Sequence, residues 1–217
     1  MIQRILEWVF PRKCVLCRKI LSKEETDLCH RCRTDQPEYR HGRKKILHVA
    51  DMTALWMYEG NARHSLHRYK FSGARHYAPS YGRLLAMRIQ RDLPAPDIIT
   101  WVPVSEKRRR QRGYDQGELM ALAVAGELGI PAEYLLEKFR DNPPNSSLKT
   151  QPERKANVLG VYRAVQPERI RGKRVLLLDD IVTTGATASE CARVLMTAGA
   201  EEIHFAAVAA AGNPSNK

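Results

Sequence analysis

The sequence lacks any long apolar run. Its 217 residues contain no stretch of about 18 consecutive apolar residues, which predicts a chain without a membrane-spanning helix. Residues 1–10 carry apolar side chains on one helical face, but Arg4, Glu7 and the early Pro11 interrupt the stretch. We interpret it as a short amphipathic helix rather than the apolar region of a signal peptide. We therefore expect a cytoplasmic protein.

The sequence is also short of acidic residues and of aromatic residues. It has 24 Asp and Glu against 36 Lys and Arg, for a formal net charge of +12, and only 7% aromatics. Such an excess of positive charge concentrates polyanions near the protein, so we expect an anionic partner. Few aromatic residues lie among the basic residues, with Tyr69 and Phe71 nearby in the sequence. The pattern of stacking aromatics that is typical of a protein binding single-stranded nucleic acid is therefore weak.

Cysteine is scarce outside one cluster. Four of the five cysteines form two C-x2-C pairs separated by eleven residues, namely Cys14, Cys17, Cys29 and Cys32. Two such pairs can present four thiolates to one zinc ion. Disulfides are less expected in a cytoplasmic protein, and a redox pair would need βαβ surroundings. We predict a structural zinc module within a first domain of residues 1–45, with His30 outside the ligand set and Cys191 in the core of a later helix.

A buried-strand pattern at residues 175–178 leads into acidic and then small residues. Asp179 and Asp180 follow the strand, and a loop of small or hydroxylated residues comes next: Thr183, Thr184, Gly185, Ala186 and Thr187. Where such a loop opens a helix, unpaired backbone N–H groups favour a phosphate, and carboxylates can accept hydrogen bonds from sugar hydroxyls. The alternative is an Asp-Asp turn with a threonine helix cap.

This run resembles the phosphoribosyl pyrophosphate (PRPP) motif of the type I phosphoribosyltransferases. The resemblance implies that Asp179 and Asp180 hold the ribose 2′- and 3′-hydroxyls, and that residues 183–187 hold the 5′-phosphate. It also implies Mg2+, bound together with PRPP.

A strongly basic segment follows another predicted strand, at residues 98–104. Residues 105–113 are predicted as a loop, in which Lys107, Arg108 and Arg112 are candidate phosphate contacts. Ligands of open α/β sheets bind at the carboxyl ends of the strands, where a cationic loop could close over a pyrophosphate group. The alternative is a solvated run of charge.

Strands and helices alternate along residues 46–217, which we predict to be the second domain. We expect strands at 49–58, 98–104, 175–178 and 202–208, helices at 61–70, 79–91, 186–198 and from about 115, and a loop at 141–153. This order predicts an α/β fold with a mostly parallel sheet and helices on both faces.

Further sequence blocks occur in order along the chain. They are Lys70-Phe71-Ser72-Gly73, Val102-Pro103-Val104, Arg112-Gly113-Tyr114-Asp115-Gln116, and Asn145-Ser146-Ser147-Leu148 with Arg154, Asn157 and Gly160. Together with the four cysteines they resemble the ComF family of competence-associated proteins, which includes the GntX-type proteins. Asp115 stands where the family usually has Asn, and Asn145 where it usually has Gln. The resemblance implies a role in the uptake or use of external DNA, with a DNA-translocating helicase as a partner.

Three functions stay open at this point. The first is an enzyme that moves the phosphoribosyl group of Mg-PRPP to a nitrogen or to ammonia and releases pyrophosphate. The second is a non-catalytic accessory protein that binds a nucleotide or single-stranded DNA through residues 107–112, Arg63, Arg68 and Lys70, with steep salt dependence. In the third, the zinc module docks another protein.

Overall fold

The protein is described here by a computed structural model, which covers residues 11–143, 148 and 150–212. The helix predicted within residues 1–10 lies outside the described residues, as do Asn145, Ser146 and Ser147 of the last sequence block. None of the helices in the described part of the chain is long and apolar enough to cross a membrane.

Within the described residues, six strands form two sheets. The strands are β1 (Asp51–Met57), β2 (Ile98–Trp101), β3 (Leu136–Lys138), β4 (Tyr162–Ala164), β5 (Arg174–Val182) and β6 (Glu202–Ala210). The main sheet has the order β1-β6-β5-β2, and each of its three pairings is parallel. The remaining two strands, β3 and β4, form a small antiparallel pair. The predicted parallel sheet is therefore confirmed, whereas the antiparallel pair was not predicted.

Helices cover both faces of the main sheet. They are α1 (His30–Asp35), α2 (Gly60–Phe71), α3 (Ala78–Asp92), α4 (Glu106–Arg112), α5 (Gln116–Leu128), α6 (Gln151–Val158), α7 (Pro167–Ile170) and α8 (Ala186–Thr197). Side chains alternate across β5: Leu176 and Leu178 join the core under α2, α3 and α5, while Val175 and Leu177 join the core under α8. Burial on both faces is what a continuous apolar strand predicts.

The basic segment is a helix rather than the predicted loop. Residues 106–112 form α4, which ends at Gly113 in the left-handed conformation with φ 77°. Arg, Lys and Gln are good helix formers, and Glu106 pairs with Arg110 one turn later at 3.0 Å. The helix buries no residue, so it lacks the apolar periodicity that would have predicted it.

Two further boundaries also differ from the prediction. The strand expected at residues 98–104 ends at Trp101, and the loop expected at residues 141–153 gives way to α6 at Gln151. Thr150 begins α6 through a capping box in which its hydroxyl accepts from the Glu153 N–H at 3.3 Å. A Thr-x-x-Glu pattern is a helix start signal, but here it lies among prolines, asparagines and serines whose composition predicts a loop.

The segment between the cysteine pairs and β1 packs against the sheet. The polar, basic sequence of residues 33–45, with Pro37 and Gly42, predicts a linker or a mobile hairpin. The structure differs, because Tyr39 is only 2% exposed and its N–H donates to the Leu55 carbonyl at 3.1 Å. Cys14, Cys29 and Cys32 belong to the same apolar cluster as Leu55. The cysteine module therefore shares a core with the parallel sheet, and the domain division at residue 45 stays a prediction.

Candidate functional site

A cavity of ≈ 480 Å3 opens at the C-terminal edge of the main sheet. Its walls come from the end of β5, the loop into α8, the end of α2, the basic helix α4, and the segments around β3 and α6. Ligands of open parallel sheets bind outside the carboxyl ends of the strands. The cavity therefore lies where this fold favours a ligand site.

The two carboxylates predicted to hold a ribose both line this cavity. Asp179 and Asp180 lie in the last part of β5, which continues to Val182 instead of ending at Leu178. Neighbouring side chains of a strand point to opposite faces, so the carboxylates approach the cavity from the two sides of the sheet. The Asp180 N–H donates to Oδ1 of Asp179 at 2.8 Å.

The two carboxylates differ in charge compensation. Lys70, near the end of α2, places Nζ 2.8 Å from Oδ1 of Asp180. Burial, followed by repulsion from Asp180, raises the pKa of Asp179 well above its ordinary value. Burial alone would lower the pKa of Lys70, but the charges of Asp180 and Asp179 outweigh it and raise that pKa. Asp180 is thus paired with Lys70, whereas ionisation of Asp179 costs free energy. Additional positive charge in the site would lower that cost.

The small-residue segment from Thr183 to Thr187 connects β5 to α8, and all five of its residues line the cavity. Gly185 precedes α8 with φ 82°, in the left-handed region that favours glycine. Thr184 Oγ1 accepts from the Ala186 N–H at 3.3 Å. The first N–H groups of a helix have no intrahelical acceptor and attract anions, so this segment is the candidate phosphate loop.

The end of α2 is fixed by the Arg-Gly-Tyr-Asp-Gln block. The Tyr114 hydroxyl donates to the Tyr69 carbonyl at 2.8 Å, and Nε2 of Gln116 donates to the Lys70 carbonyl at 3.5 Å. These two bonds hold the last turn of α2 against the start of α5. They therefore position Lys70 beside Asp180, although the two blocks are far apart in the sequence.

Asp115, which replaces the asparagine usual in the resembled family, uses both carboxylate oxygens. Oδ1 accepts from the N–H groups of Gly117 at 2.8 Å and Glu118 at 3.3 Å, which caps α5. Oδ2 accepts from the Val104 N–H at 3.1 Å. An asparagine has only one acceptor oxygen, so the aspartate makes a bond to the segment after β2 that an asparagine could not make.

The basic helix α4 contributes two of its three predicted contacts. Arg108 and Arg112 line the cavity, and Nη2 of Arg108 donates to the Asn142 carbonyl at 3.0 Å. Lys107 does not line the cavity: its side chain is 70% exposed and its Nζ lies 4.0 Å from Asp141. The phosphate contact predicted for Lys107 stays a prediction, and the geometry gives it no support.

Three cavity-lining cations were absent from the predicted site. Lys70, Lys138 and Arg154 bring the described lining to five cations against two carboxylates. Lys70 and Arg154 stand in sequence blocks that could have signalled them, whereas Lys138 lies on β3 without a motif. Burial, followed by repulsion from Arg108, lowers the pKa of Lys138 to about 8. The cavity is therefore electropositive and suited to a polyanion.

The four clustered cysteines come together as predicted. Their Sγ atoms all lie within 4.8 Å of one another, and those of Cys17 and Cys29 are 3.5 Å apart. Four sulfurs bound to a tetrahedral zinc ion would be about 3.8 Å apart, given a Zn–S distance of about 2.3 Å, so the cluster fits this metal. Burial and the neighbouring sulfurs raise the pKa of Cys32. His30 is exposed and outside the cluster, and Cys191 is fully buried in the core, as predicted.

The cysteine module docks on α2 and α3 through polar contacts. Arg68 of α2 donates to the Leu16 carbonyl, and Nε of Arg83 on α3 lies 3.1 Å from Oδ2 of the buried Asp27. Arg68 is engaged here and Lys70 at Asp180, so neither is a free surface cation for nucleic acid. Of the three α2 residues considered for that role, Arg63 is exposed.

Two known domain families match parts of the chain. Residues 115–216 match the phosphoribosyl transferase domain, and residues 5–42 match the double zinc ribbon domain. The main part of the chain therefore has the type I phosphoribosyltransferase fold, preceded by a zinc ribbon. The ribbon and its four-cysteine cluster support structural zinc. Since the chain has 5 cysteines in total, it supplies one four-sulfur site.

Relatives of known name cover most of the chain. DNA utilization protein YhgH of Salmonella typhi is 27% identical over 181 residues, which are 81% of this chain and 74% of that protein. Competence protein F of Haemophilus influenzae is 28% identical over 145 residues, which are 64% of this chain and 63% of that protein. These homologues confirm the predicted resemblance to the ComF family.

A solved structure similar to this chain is the glutamine PRPP amidotransferase of B. subtilis complexed with ADP and GMP. It has 27% sequence identity and a TM-score of 0.43. The match covers 61% of this chain and 26% of that chain.

Proposed function

We propose that this chain, a homologue of proteins named DNA utilization protein and Competence protein F, binds Mg-PRPP in its cavity and serves the use of external DNA. The observation that carries the proposal is the common lining of one cavity by Asp179, Asp180 and the phosphate loop. A pair of carboxylates next to an anion site matches a phosphorylated sugar. The carboxylates can accept hydrogen bonds from the sugar hydroxyls, and the backbone N–H groups of the loop can bind the phosphate.

In the proposed complex the ribose lies between the two carboxylates. Asp180 and Asp179 accept hydrogen bonds from the two vicinal hydroxyls, while the phosphate loop donates backbone N–H groups to the 5′-phosphate. Ionised Asp179 is repelled by Asp180 in the empty site. Hydroxyl donors and the cationic charge that accompanies PRPP would relieve this repulsion, so binding and ionisation of Asp179 should be linked.

The remaining cations would receive the pyrophosphate group. Arg108, Arg112, Lys138 and Arg154 all line the cavity in addition to the Lys70–Asp180 pair. Anion binding would raise the pKa of Lys138 from its value of about 8, because a bound negative charge favours the protonated amine. The pyrophosphate subsite should therefore bind best when Lys138 is protonated, that is, towards lower pH.

Asp179 and Asp180 are the residues that would hold Mg2+ bound together with the pyrophosphate group. These are the two acidic residues among the described lining, and Mg2+ is commonly bound by one or two carboxylates plus substrate phosphates. When bound, it would neutralise charge on the leaving group. The residues themselves would orient the sugar.

The proposed reaction transfers the phosphoribosyl group to a nitrogen. The bond between C1 of ribose and the pyrophosphate oxygen breaks with its electron pair leaving on pyrophosphate, a C1–N bond forms, and the nitrogen loses a proton. The transition state would be oxocarbenium-like, so positioning and neutralisation of the leaving group suffice and no covalent nucleophile is required.

Incubation with Mg-PRPP and a panel of nucleobases and ammonia tests the transfer, with pyrophosphate release as the readout. We expect acceptor-dependent release, and loss of it in the Asp179→Asn, Asp180→Asn double variant. If calorimetry shows binding of Mg-PRPP but no acceptor leads to pyrophosphate release, the cavity is a PRPP-binding site and the proposed transfer reaction is rejected. Absence of both would reject the proposed function.

The accessory role in DNA binding is the second candidate, and the geometry favours it less. Two of its supporting cations, Arg68 and Lys70, are engaged inside the protein. Titration of a labelled single-stranded oligonucleotide at several salt concentrations tests it, because phosphate contacts predict a steep loss of affinity with salt. The helicase partner and the docking role of the zinc module stay predictions.

A further inference from the structure

Lys44 is a buried lysine in the segment that follows the cysteine module. Its residue is only 8% exposed, its N–H donates to the Tyr39 hydroxyl at 2.9 Å, and its Nζ donates to the Thr183 carbonyl. Lysine is almost never this deeply buried without a charged partner. The ammonium of Lys44 therefore needs a physical explanation.

Lys44 forms no ion pair with any residue that the structure describes, within 4.0 Å. Lys70 provides the contrast, because it is paired with Asp180 at 2.8 Å and has a raised pKa. Burial instead lowers the pKa of Lys44, with no opposing charge to offset it. A buried cation without a carboxylate is costly for the folded protein.

The side chain lies directly behind the phosphate loop. Thr183, whose carbonyl accepts from Lys44, is the first residue of that loop, while Lys44 itself does not line the cavity. Ile46 supports the same loop, because a Cβ placed on Gly185 would lie 3.1 Å from its Cγ1. Lys44 and Ile46 therefore form a backing to the loop on the side away from the cavity, whereas the intervening Lys45 is exposed.

This arrangement would help an anion in front of the loop in two ways. A hydrogen bond from Lys44 turns the Thr183 carbonyl, a partial negative charge, towards the ammonium rather than towards the cavity. The ammonium also supplies a positive charge with no carboxylate of the described residues paired to it within 4.0 Å, and such a charge acts more strongly through a half-buried loop than through bulk water.

We propose that Lys44 is a positioning residue of the 5′-phosphate subsite, holding the phosphate loop from behind and compensating the charge of the bound phosphate. The proposal rests on the function proposed above. In this arrangement the bound 5′-phosphate supplies the negative charge that the buried ammonium of Lys44 otherwise lacks.

The test is calorimetric titration of the full-length, zinc-loaded protein with ribose 5-phosphate and, separately, with Mg-pyrophosphate. Lys44→Met should weaken binding of ribose 5-phosphate by about tenfold or more, while binding of Mg-pyrophosphate changes less than about twofold. Lys45→Met is the matched control, since Lys45 is exposed in the same segment, and it should bind both ligands like the wild type. Lys44→Gln keeps an N–H donor without the charge, so its affinity for ribose 5-phosphate should lie between those of the wild type and Lys44→Met.

A thermal unfolding scan separates positioning from plain structural support. Removal of an uncompensated buried charge should leave the unfolding temperature unchanged or raise it, so Lys44→Met should lose affinity without losing stability. Wild-type affinity for ribose 5-phosphate in Lys44→Met and Lys44→Gln would overturn the inference. So would an equal loss for both ligands together with a lower unfolding temperature. Failure of the wild type itself to bind ribose 5-phosphate would overturn the proposed function, and the inference with it.

Discussion

The cysteine module and the cavity differ in how their charged groups are compensated. In the module, four sulfur ligands from residues 14–32 converge to within 4.8 Å, and a zinc ion of opposite charge would satisfy all of them. In the cavity, like charges lie close together without full compensation: Asp179 is beside Asp180, and Lys138 is near Arg108. Behind the phosphate loop, outside the cavity, Lys44 is a buried cation without a carboxylate partner among the described residues. Zinc binding would therefore stabilise the folded module, whereas the uncompensated charges around the cavity destabilise the folded protein until a ligand binds.

The largest expected effect is loss of the metal. Cys14→Ser should abolish the zinc site and destabilise the protein by several kcal/mol, on the order of 5, because the module shares a core with the sheet and supplies little apolar burial alone. Metal analysis and thermal unfolding measure both consequences. Cys191→Ala is the control, since Cys191 is fully buried but outside the cluster.

In the wild type and in Cys191→Ala we expect one zinc per chain. Two zinc ions per chain, or a Cys14→Ser protein with unchanged zinc and unfolding temperature, would contradict the assignment of the module.

A smaller effect should separate two arginines of the same helix. Arg108 lines the cavity, whereas Arg110 is 79% exposed and pairs with Glu106. Arg108→Met should weaken Mg-pyrophosphate binding by about tenfold, as expected for one charge-assisted hydrogen bond, and Arg110→Met should leave it unchanged. Equal effects of the two substitutions, measured by calorimetry at one salt concentration, would mean that general charge rather than cavity contact attracts the anion.

The smallest effect concerns the stability of the empty protein. Asp179 has a raised pKa when folded, so the folded state binds more protons than the unfolded state, and stability falls as pH rises above about 4, the unfolded value. Asp179→Asn removes this loss and should raise the free energy of unfolding at pH 7 above that of the wild type. Denaturant unfolding at pH 4 and pH 7 checks it. A variant less stable than the wild type at pH 7 would show that the carboxylate is stabilising in the empty site.

The same comparison explains what the sequence could predict. The cysteine spacing and the strand-acid-small run are local patterns, so the four-cysteine cluster, the start of β5 and the candidate phosphate loop could be predicted from the sequence alone. Lys70, Lys138 and Arg154 reach the cavity from three separate segments, and only tertiary packing brings them there. Lys44 had no motif at all, and its location behind Thr183 depends on how residues 33–45 pack against the sheet.

The misassigned segments have a related cause. The helix α4 buries no side chain, and a helix without an apolar face leaves no periodic signal. The aspartate at position 115 likewise depends on a contact that the sequence pattern does not reveal, because its second oxygen accepts from the Val104 N–H at 3.1 Å. Such features depend on neighbours that are distant in the sequence.

The most direct test of the account is a calorimetric titration of the zinc-loaded protein with Mg-PRPP, comparing the wild type with the Asp179→Asn, Asp180→Asn double variant. We expect one binding site per chain in the wild type and at least about a hundredfold weaker binding in the variant, since two charge-assisted contacts are lost. A circular dichroism spectrum like that of the wild type would show that the variant is folded. Equal affinity of the two folded proteins for Mg-PRPP would contradict the claim that these carboxylates hold the sugar.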